Sequence, residues 1–390
     1  MLPHIQAYFT EKGLIGTNFP FRLHSPGRIN IIGEHTDYTG GLVMPAAIDK
    51  GIEFYARQRD GQTMAFHAVD LDARYELPLP VSGKTGELWV DYLAGIIHEF
   101  QLLGHDIPAL EIVFGGNVPR GSGMSSSAAL EGGMAFLLDQ VTAANIPKPE
   151  LAQLCRRGSN NFIGVPTGIM DQFASLNGVA QGPILLDCHD LSFTPVDANI
   201  KGHTWMLANS MVTHELGSSE YPVRVRECAE ALAAIRATFP QINHLSGATK
   251  AQLTAVMKNM SQVAQQRASF VIAENERVRL MKTALETGDL TAIGLLLNQT
   301  HRGLSKEYKV SCPEVDFLQA IAVALTTNEG SPIVAGARIM GGGFGGCTLN
   351  LVRTDRLSEF RQKLTAAYQK AHHIQPEFYE VTIGPGTRCI

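Results

Sequence analysis

Apolar and polar positions change period several times along this chain. Residues 110–114 form a strand-like apolar run. After a glycine- and serine-rich gap, apolar residues recur at Leu130, Met134, Leu137, Leu138 and Val141, the spacing of one helix face. Residues 21–32 predict a strand running into a glycine-rich turn. Residues 52–58 and 64–69 predict strands joined by the turn residues Arg59-Asp60-Gly61. Helices are predicted over 92–103 and 151–162, the second followed by the loop Gly164-Val165-Pro166-Thr167-Gly168. Short strands follow at 184–187 and 204–208, then a mostly helical stretch with helices over 223–237 and 268–286, where Gly288 is a natural stop. Residues 337–352 return to glycine and strand. This order predicts an α+β protein of two lobes, 1–202 and 203–390.

Composition narrows the class. With 390 residues the chain can bury a large core, and a net charge of −5 leaves no basic surplus for nucleic acid. No apolar run reaches membrane-spanning length, and Met1-Leu2-Pro3-His4 lacks the charged and apolar regions of a signal peptide. The six cysteines show no CxxC pair or zinc spacing and read as reduced thiols. A cytoplasmic enzyme, free of membrane and nucleic acid, is the expectation.

The segment Pro119-Arg120-Gly121-Ser122-Gly123-Met124-Ser125-Ser126-Ser127-Ala128-Ala129 carries the sharpest chemistry. Glycines allow close backbone approach to a ligand, and the free N–H groups and dipole of a helix start attract an anion. The segment lacks the Gly-Lys-Ser/Thr ending of a Walker loop; the Gly-Lys-Thr at 83–85 has Pro78 where the leading glycine belongs. Two readings stand: an ordinary capped helix, for which one serine suffices, or a cradle for nucleotide phosphates with one hydroxyl reaching a metal.

Four further clusters each admit a plain structural reading beside a functional one. In Arg28-Ile29-Asn30-Ile31-Ile32-Gly33-Glu34-His35-Thr36-Asp37-Tyr38-Thr39-Gly40-Gly41, ionisable groups crowd behind an apolar strand, which suits a polyhydroxylated ligand or a solvated hairpin loop. Asp171 is flanked by Ile169, Met170 and Phe173, so it is partly buried and serves as a helix cap or as the carboxylate that accepts a proton from an attacking hydroxyl. Gly341-Gly342-Gly343-Phe344-Gly345-Gly346 contains GxGxxG but precedes a strand, so it is a tight turn or backbone close to a ligand, with Arg338 as a phosphate neighbour. Tyr221 precedes Pro222, where a helix could begin, and is a packed tyrosine or a hydroxyl donor into a cleft.

In this order the motifs resemble the GHMP kinases and, within them, the galactokinase family. Residues 28–41 look like its signature, 119–129 like the second motif and 336–347 like the third. Gly168-Ile169-Met170-Asp171-Gln172-Phe173, Ala273-Glu274-Asn275-Glu276-Arg277 and Val310-Ser311-Cys312-Pro313-Glu314 match other segments, so the resemblance spans essentially the whole chain. It implies two lobes around an active-site cleft and transfer of the ATP γ-phosphoryl group to the anomeric hydroxyl of galactose. It further implies that Glu34, His35, Thr36, Asp37, Gly168 and Tyr221 lie at the sugar and that residues 119–127 hold the triphosphate. Trp89 and Tyr92 would lie near the nucleotide, and Ser127 would reach Mg²⁺. Asp171 would be the base, and Arg28 its partner and the stabiliser of transition-state charge. The working unit implied is a monomer.

Two departures from the family pattern matter. Ser159 stands where a magnesium-binding glutamate belongs, and acts through water in this reading. Ser305-Lys306-Glu307 replaces a usual Arg-Asp-Asp. The rivals are a kinase for a related sugar, such as N-acetylgalactosamine or arabinose, and a galactose sensor without turnover. Ser159 predicts a raised Mg²⁺ requirement that Ser159→Glu relieves, readable as a shifted Mg²⁺ titration of activity.

Overall fold

The computed structural model describes residues 1–119, 121–213 and 216–390; Arg120, one of the expected phosphate-loop residues, lies outside them. The first half carries α1 (Pro3–Glu11), β1 (Phe21–Asn30), β2 (Leu42–Val43), β3 (Pro45–Gln58), β4 (Thr63–Ala68), β5 (Ala73–Pro78), α2 (Leu88–Leu102), β6 (Leu110–Gly116), α3 (Ser126–Thr142), α4 (Lys148–Arg157), α5 (Met170–Asn177), β7 (Ile184–Asp187) and β8 (Phe193–Pro195). The second carries β9 (His203–Thr213), α6 (Leu216–Thr238), α7 (Lys250–Val256), α8 (Gln262–Thr287), α9 (Leu290–Lys306), α10 (Pro313–Ala324), β10 (Val334–Ile339), β11 (Gly345–Arg353), α11 (Leu357–His372), β12 (Glu377–Val381) and β13 (Arg388–Cys389).

These elements form two α+β lobes. The first is built on a six-stranded sheet in the order β13-β1-β3-β6-β4-β5, mixed because β4 runs parallel to β6. Helices α3 and α5 pack on β1 and β3, with α2 and α4 against α3, around an apolar core that includes Phe54, Phe66, Phe100 and Phe173. The second is built on an antiparallel four-stranded sheet, β10-β11-β9-β12, with α9 and α10 against it. The final strand returns to the first sheet, pairing Cys389 with Leu23.

Two local features position the site. The register of β1 against β3 shifts between Pro26 and Arg28. At that bulge a side chain on Gly27 would meet the Met124 carbonyl at 2.5 Å, so glycine lets β1 touch the 119–127 loop. Arg28 N–H then donates to the same carbonyl at 3.1 Å. The helix predicted over 151–162 is instead α4 followed by a π-helical turn at Gly158–Ile163, which carries Ser159 into the interior.

Two expectations are corrected. Helix α6 begins before Pro222, which lies inside it without an amide to donate. Arg224 steadies that turn by donating to the carbonyls of Tyr308 and Lys309, each at 3.0 Å. Arg338 is not a phosphate neighbour: its side chain is fully buried between the lobes. It donates to the carbonyls of Asn30, Ile31 and Ile339 and to Glu34 Oε1 at 3.1 Å. Removing such a group strands several acceptors and a buried carboxylate, so Arg338→Ala should cost about 3–5 kcal/mol of unfolding free energy, measurable by urea denaturation.

Candidate active site

The carboxyl end of β1 and the loop after it supply half of the site. Glu274, fully buried on α8, accepts from Gly33 N–H at 3.0 Å and from the Thr300 hydroxyl at 2.9 Å, and pairs with Arg277 at 2.6 Å. Asn275 Oδ1 accepts from Leu42 N–H at 2.7 Å. The Ala273–Arg277 segment is therefore the clamp that holds the 31–42 loop. Thr36 belongs to that scaffold as well: its buried hydroxyl lies between the Gly33 and Leu42 carbonyls, at 2.9 and 2.8 Å, and it is not among the residues lining the adjoining cavity.

That cavity, about 440 Å³, brings together Arg28, Glu34, His35, Asp37, Ser127, Glu131, Ser159, Gly168, Asp171, Gln172, Tyr221 and Gly341. Asp171 receives the Arg28 guanidinium in a two-pronged fork, Nε to Oδ1 and Nη2 to Oδ2, both at 2.8 Å. Ser125 Oγ donates to Asp171 Oδ2 at 2.5 Å, and Arg28 Nη1 donates to the Gly123 carbonyl. A planar fork of this kind fixes orientation as well as charge. Glu34 is buried and accepts from Gly341 N–H at 2.9 Å besides Arg338.

His35 takes a left-handed backbone, φ 61°. Its Nδ1 lies 3.0 Å from the Tyr38 hydroxyl, and the Gly342 backbone faces the buried ring. Burial pushes its pKa down to about 4, so at neutral pH it is a neutral ring. Burial, reinforced by the charges of Asp171 and Glu34, pushes Asp37 up to about 7. Burial, then the Asp37 charge, also raises Tyr221, which stays a phenol able to donate. A side chain at Gly168 would meet Asp37 Oδ2 at 1.7 Å, so glycine there leaves the Asp37 carboxylate its place.

A second cavity of about 270 Å³ is lined by Pro119, Gly121, Ser122, Gly123, Met124, Ser125, Ser126 and Ser127 together with Arg28, Asp171 and Gly341. Gly121 and Gly123 have left-handed φ of 69° and 72°, and α3 starts at Ser126, leaving its first N–H groups at the loop. Within it, Ser122 Oγ donates to the Pro119 carbonyl at 2.6 Å, and buried Met124 sits in the inter-lobe core. A third cavity, about 430 Å³ and largely apolar, holds Trp89, Tyr92, Phe114 and Leu130. Ser127 lines all three cavities, so a pocket rich in ionisable groups, a glycine-rich cavity at a helix start and an aromatic-lined pocket run together at one residue.

Comparison with known proteins matches this layout. The galactokinase galactose-binding signature matches residues 12–58, the GHMP kinase N-terminal domain 91–179 and the GHMP kinase C-terminal domain 281–370. A galactokinase from Clostridium beijerinckii is 38% identical over 371 residues, 94% of either chain. The chain belongs to the galactokinase family of the GHMP kinases. A family member from Thermotoga neapolitana is 36% identical over 95% of this chain and all of its own. The Lactococcus lactis galactokinase complexed with galactose superposes with a TM-score of 0.92, at 33% identity, over 99% of this chain and 100% of that one. Methanococcus jannaschii mevalonate kinase, 15% identical with a TM-score of 0.65 over 93% of this chain and 98% of its own, shares the fold.

Sequence reasoning missed Glu131 and Gln172. Glu131 is 1% exposed; Ser159 Oγ donates to its Oε1 and Gln172 Nε2 to its Oε2 at 3.0 Å. Burial pushes its pKa up to about 7. The available signal was an acid in an apolar helix one turn after Ser127, on the same helix face. The segment 305–307 lies outside the cavities: Ser305 Oγ donates to Asp316 at 2.7 Å, and Lys306 lies 3.6 Å from the same carboxylate.

Two outcomes follow. Gly168→Ala should displace the Asp37 carboxylate and raise the sugar KM by about tenfold or more, with Tm little changed. The folded-state pKa of Asp37 lies above its ordinary 3.8, so ionising it in place costs stability that grows from pH 4 and is complete above pH 7. Asp37→Asn should therefore raise the Tm of the sugar-free protein by roughly 3 °C at pH 8 and little at pH 4.

Proposed function

We propose that this chain transfers the γ-phosphoryl group of ATP to the anomeric hydroxyl of α-D-galactose, giving galactose 1-phosphate and ADP, the entry step of galactose catabolism. The observation that carries the reading is the Arg28–Asp171 fork, which stands where the sugar pocket opens into the phosphate cradle. Galactose is the sugar named for the Lactococcus lactis relative, and the galactose-binding signature covers residues 12–58.

In this reading Asp171 orients the anomeric hydroxyl and accepts its proton at a carboxylate oxygen. Arg28 holds that carboxylate and sets positive charge beside the transferring group, where a loose phosphoryl transition state gains most. Asp37 accepts from a sugar hydroxyl, neutral His35 offers Nε2, and Tyr221 donates. Glu34 shapes the wall through its bonds to Arg338 and Gly341. The glycine-rich loop and the start of α3 take the phosphates, and the pocket of Trp89 and Tyr92 takes the adenine.

Mg²⁺, when bound, would neutralise phosphate charge. Among the described residues no cluster of three or more His, Cys, Asp or Glu could hold a metal. The donors near the phosphate cradle are oxygens, and buried Gln172 Oε1 has no partner, which suits a hard cation sharing phosphate and water ligands. Ser127 would face it, whereas the Ser159 hydroxyl, expected from sequence to reach the metal through water, is turned to Glu131. No helix among the described residues is long and apolar enough to cross a membrane, and the six cysteines are unpaired; both suit a cytoplasmic enzyme.

A coupled ADP-release assay over galactose, N-acetylgalactosamine and arabinose tests the reading. Galactose should support turnover best, and Asp171→Asn should lower kcat by about 100-fold or more while leaving galactose binding near wild type. Binding of galactose and ATP with no ADP formed would instead establish a sensor.

A further inference from the structure

On the basis of the kinase reading above, we propose that Glu131 supplies the acidic oxygen of the magnesium site, one helical turn beyond Ser127, and that Ser159 positions Glu131 instead of binding the ion itself. Ser127 and Glu131 stand four residues apart on α3, so both project from one helix face, and both line the 440 Å³ cavity. Ser127 also lines the phosphate cradle, so a cation between this pair and the phosphates needs no movement of α3.

The surroundings of Glu131 point to a cation. Its carboxylate is buried, and among the described residues no Lys, Arg or His pairs with it. The nearest guanidinium of the cavity, Arg28, is committed to Asp171 and the Gly123 carbonyl. A buried carboxylate lacking a cationic neighbour is costly unless it takes up a proton or a cation supplies the positive charge. The second observation is Gln172: its Nε2 is spent on Glu131, while its buried Oε1 in the same cavity has no partner. A carboxylate, a hydroxyl and an amide oxygen around one space form an all-oxygen donor set, and Mg²⁺ uses one or two carboxylates, completing its shell with phosphate and water.

Ser159 fits the supporting part. Its hydroxyl donates to Glu131 Oε1 from the π-helical turn, and the residue is 1% exposed. Such a bond fixes which carboxylate lone pairs remain for the ion, as outer-shell partners do at other metal sites.

The test uses Mn²⁺ as a paramagnetic probe of the full-length protein with ADP, read by water-proton relaxation and therefore independent of turnover. Glu131→Gln should weaken Mn²⁺ in the ternary complex by about 10-fold or more, and Ser159→Ala by a smaller factor of about 3, with metal-free ADP affinity unchanged in both. Should Glu131→Gln fail to fold, Glu131→Asp, one methylene shorter, should show the same loss. Wild-type Mn²⁺ affinity in a folded Glu131 variant would overturn the proposal, as would a larger loss for Ser159→Ala than for Glu131→Gln. Galactose-dependent ADP release by the wild-type chain, measured alongside, separates this result from failure of the kinase reading.

Discussion

The arrangement of both lobes depends on one buried guanidinium. Arg338 comes from the second sheet, yet it donates to the carbonyls of Asn30 and Ile31 where β1 leaves the first. A charge buried this deeply is tolerated only when nearly every N–H finds an acceptor, so the two sheets cannot slide without stranding it. The same side chain holds Glu34, and Glu34 holds Gly341 N–H. The loop after β1 and the third glycine-rich turn are thus positioned by one inter-lobe network, and the cleft between them inherits its rigidity.

Within the cleft, electrostatics is shaped by an excess of acids. Glu34, Asp37, Glu131 and Asp171 share a single cavity with Arg28. Arg28 is given to Asp171 as a two-pronged fork, which leaves Asp37 and Glu131 to be pushed up to about 7 by burial and by the acids around them. A site of this kind is stabilised by what enters it. In the proposed reading, sugar hydroxyls would donate to Asp37 and a divalent cation would offset Glu131, so ligand binding would also relieve buried charge.

Much of the site was legible in the chain. The 119–127 loop, the 28–41 cluster and Asp171 converge on one cleft because each joins an apolar element to a glycine-bearing turn, a local property that sequence expresses directly. Other features were not legible. Arg338, next to a glycine-rich turn, resembled a phosphate ligand, because nothing local shows that it faces the carbonyls of a strand some 300 residues away in sequence. Thr36 sits in sequence among the residues expected at the sugar, but its hydroxyl is turned into the loop. Pro222 read as a helix start, but contacts from Arg224 to the 308–309 carbonyls carry α6 through it.

By itself, then, the sequence determined the two α+β lobes, the anion-binding helix start and the residue types of a sugar kinase, since these follow from periodicity, glycine placement and local charge. The tertiary structure alone decided which partner each polar side chain takes. Glu131 is the clearest case. In sequence it is one acid in an apolar helix. Folding brings Ser159 and Gln172 onto its two oxygens with no cation beside it, and that long-range pairing, which no local pattern encodes, turns a helix residue into a candidate metal ligand.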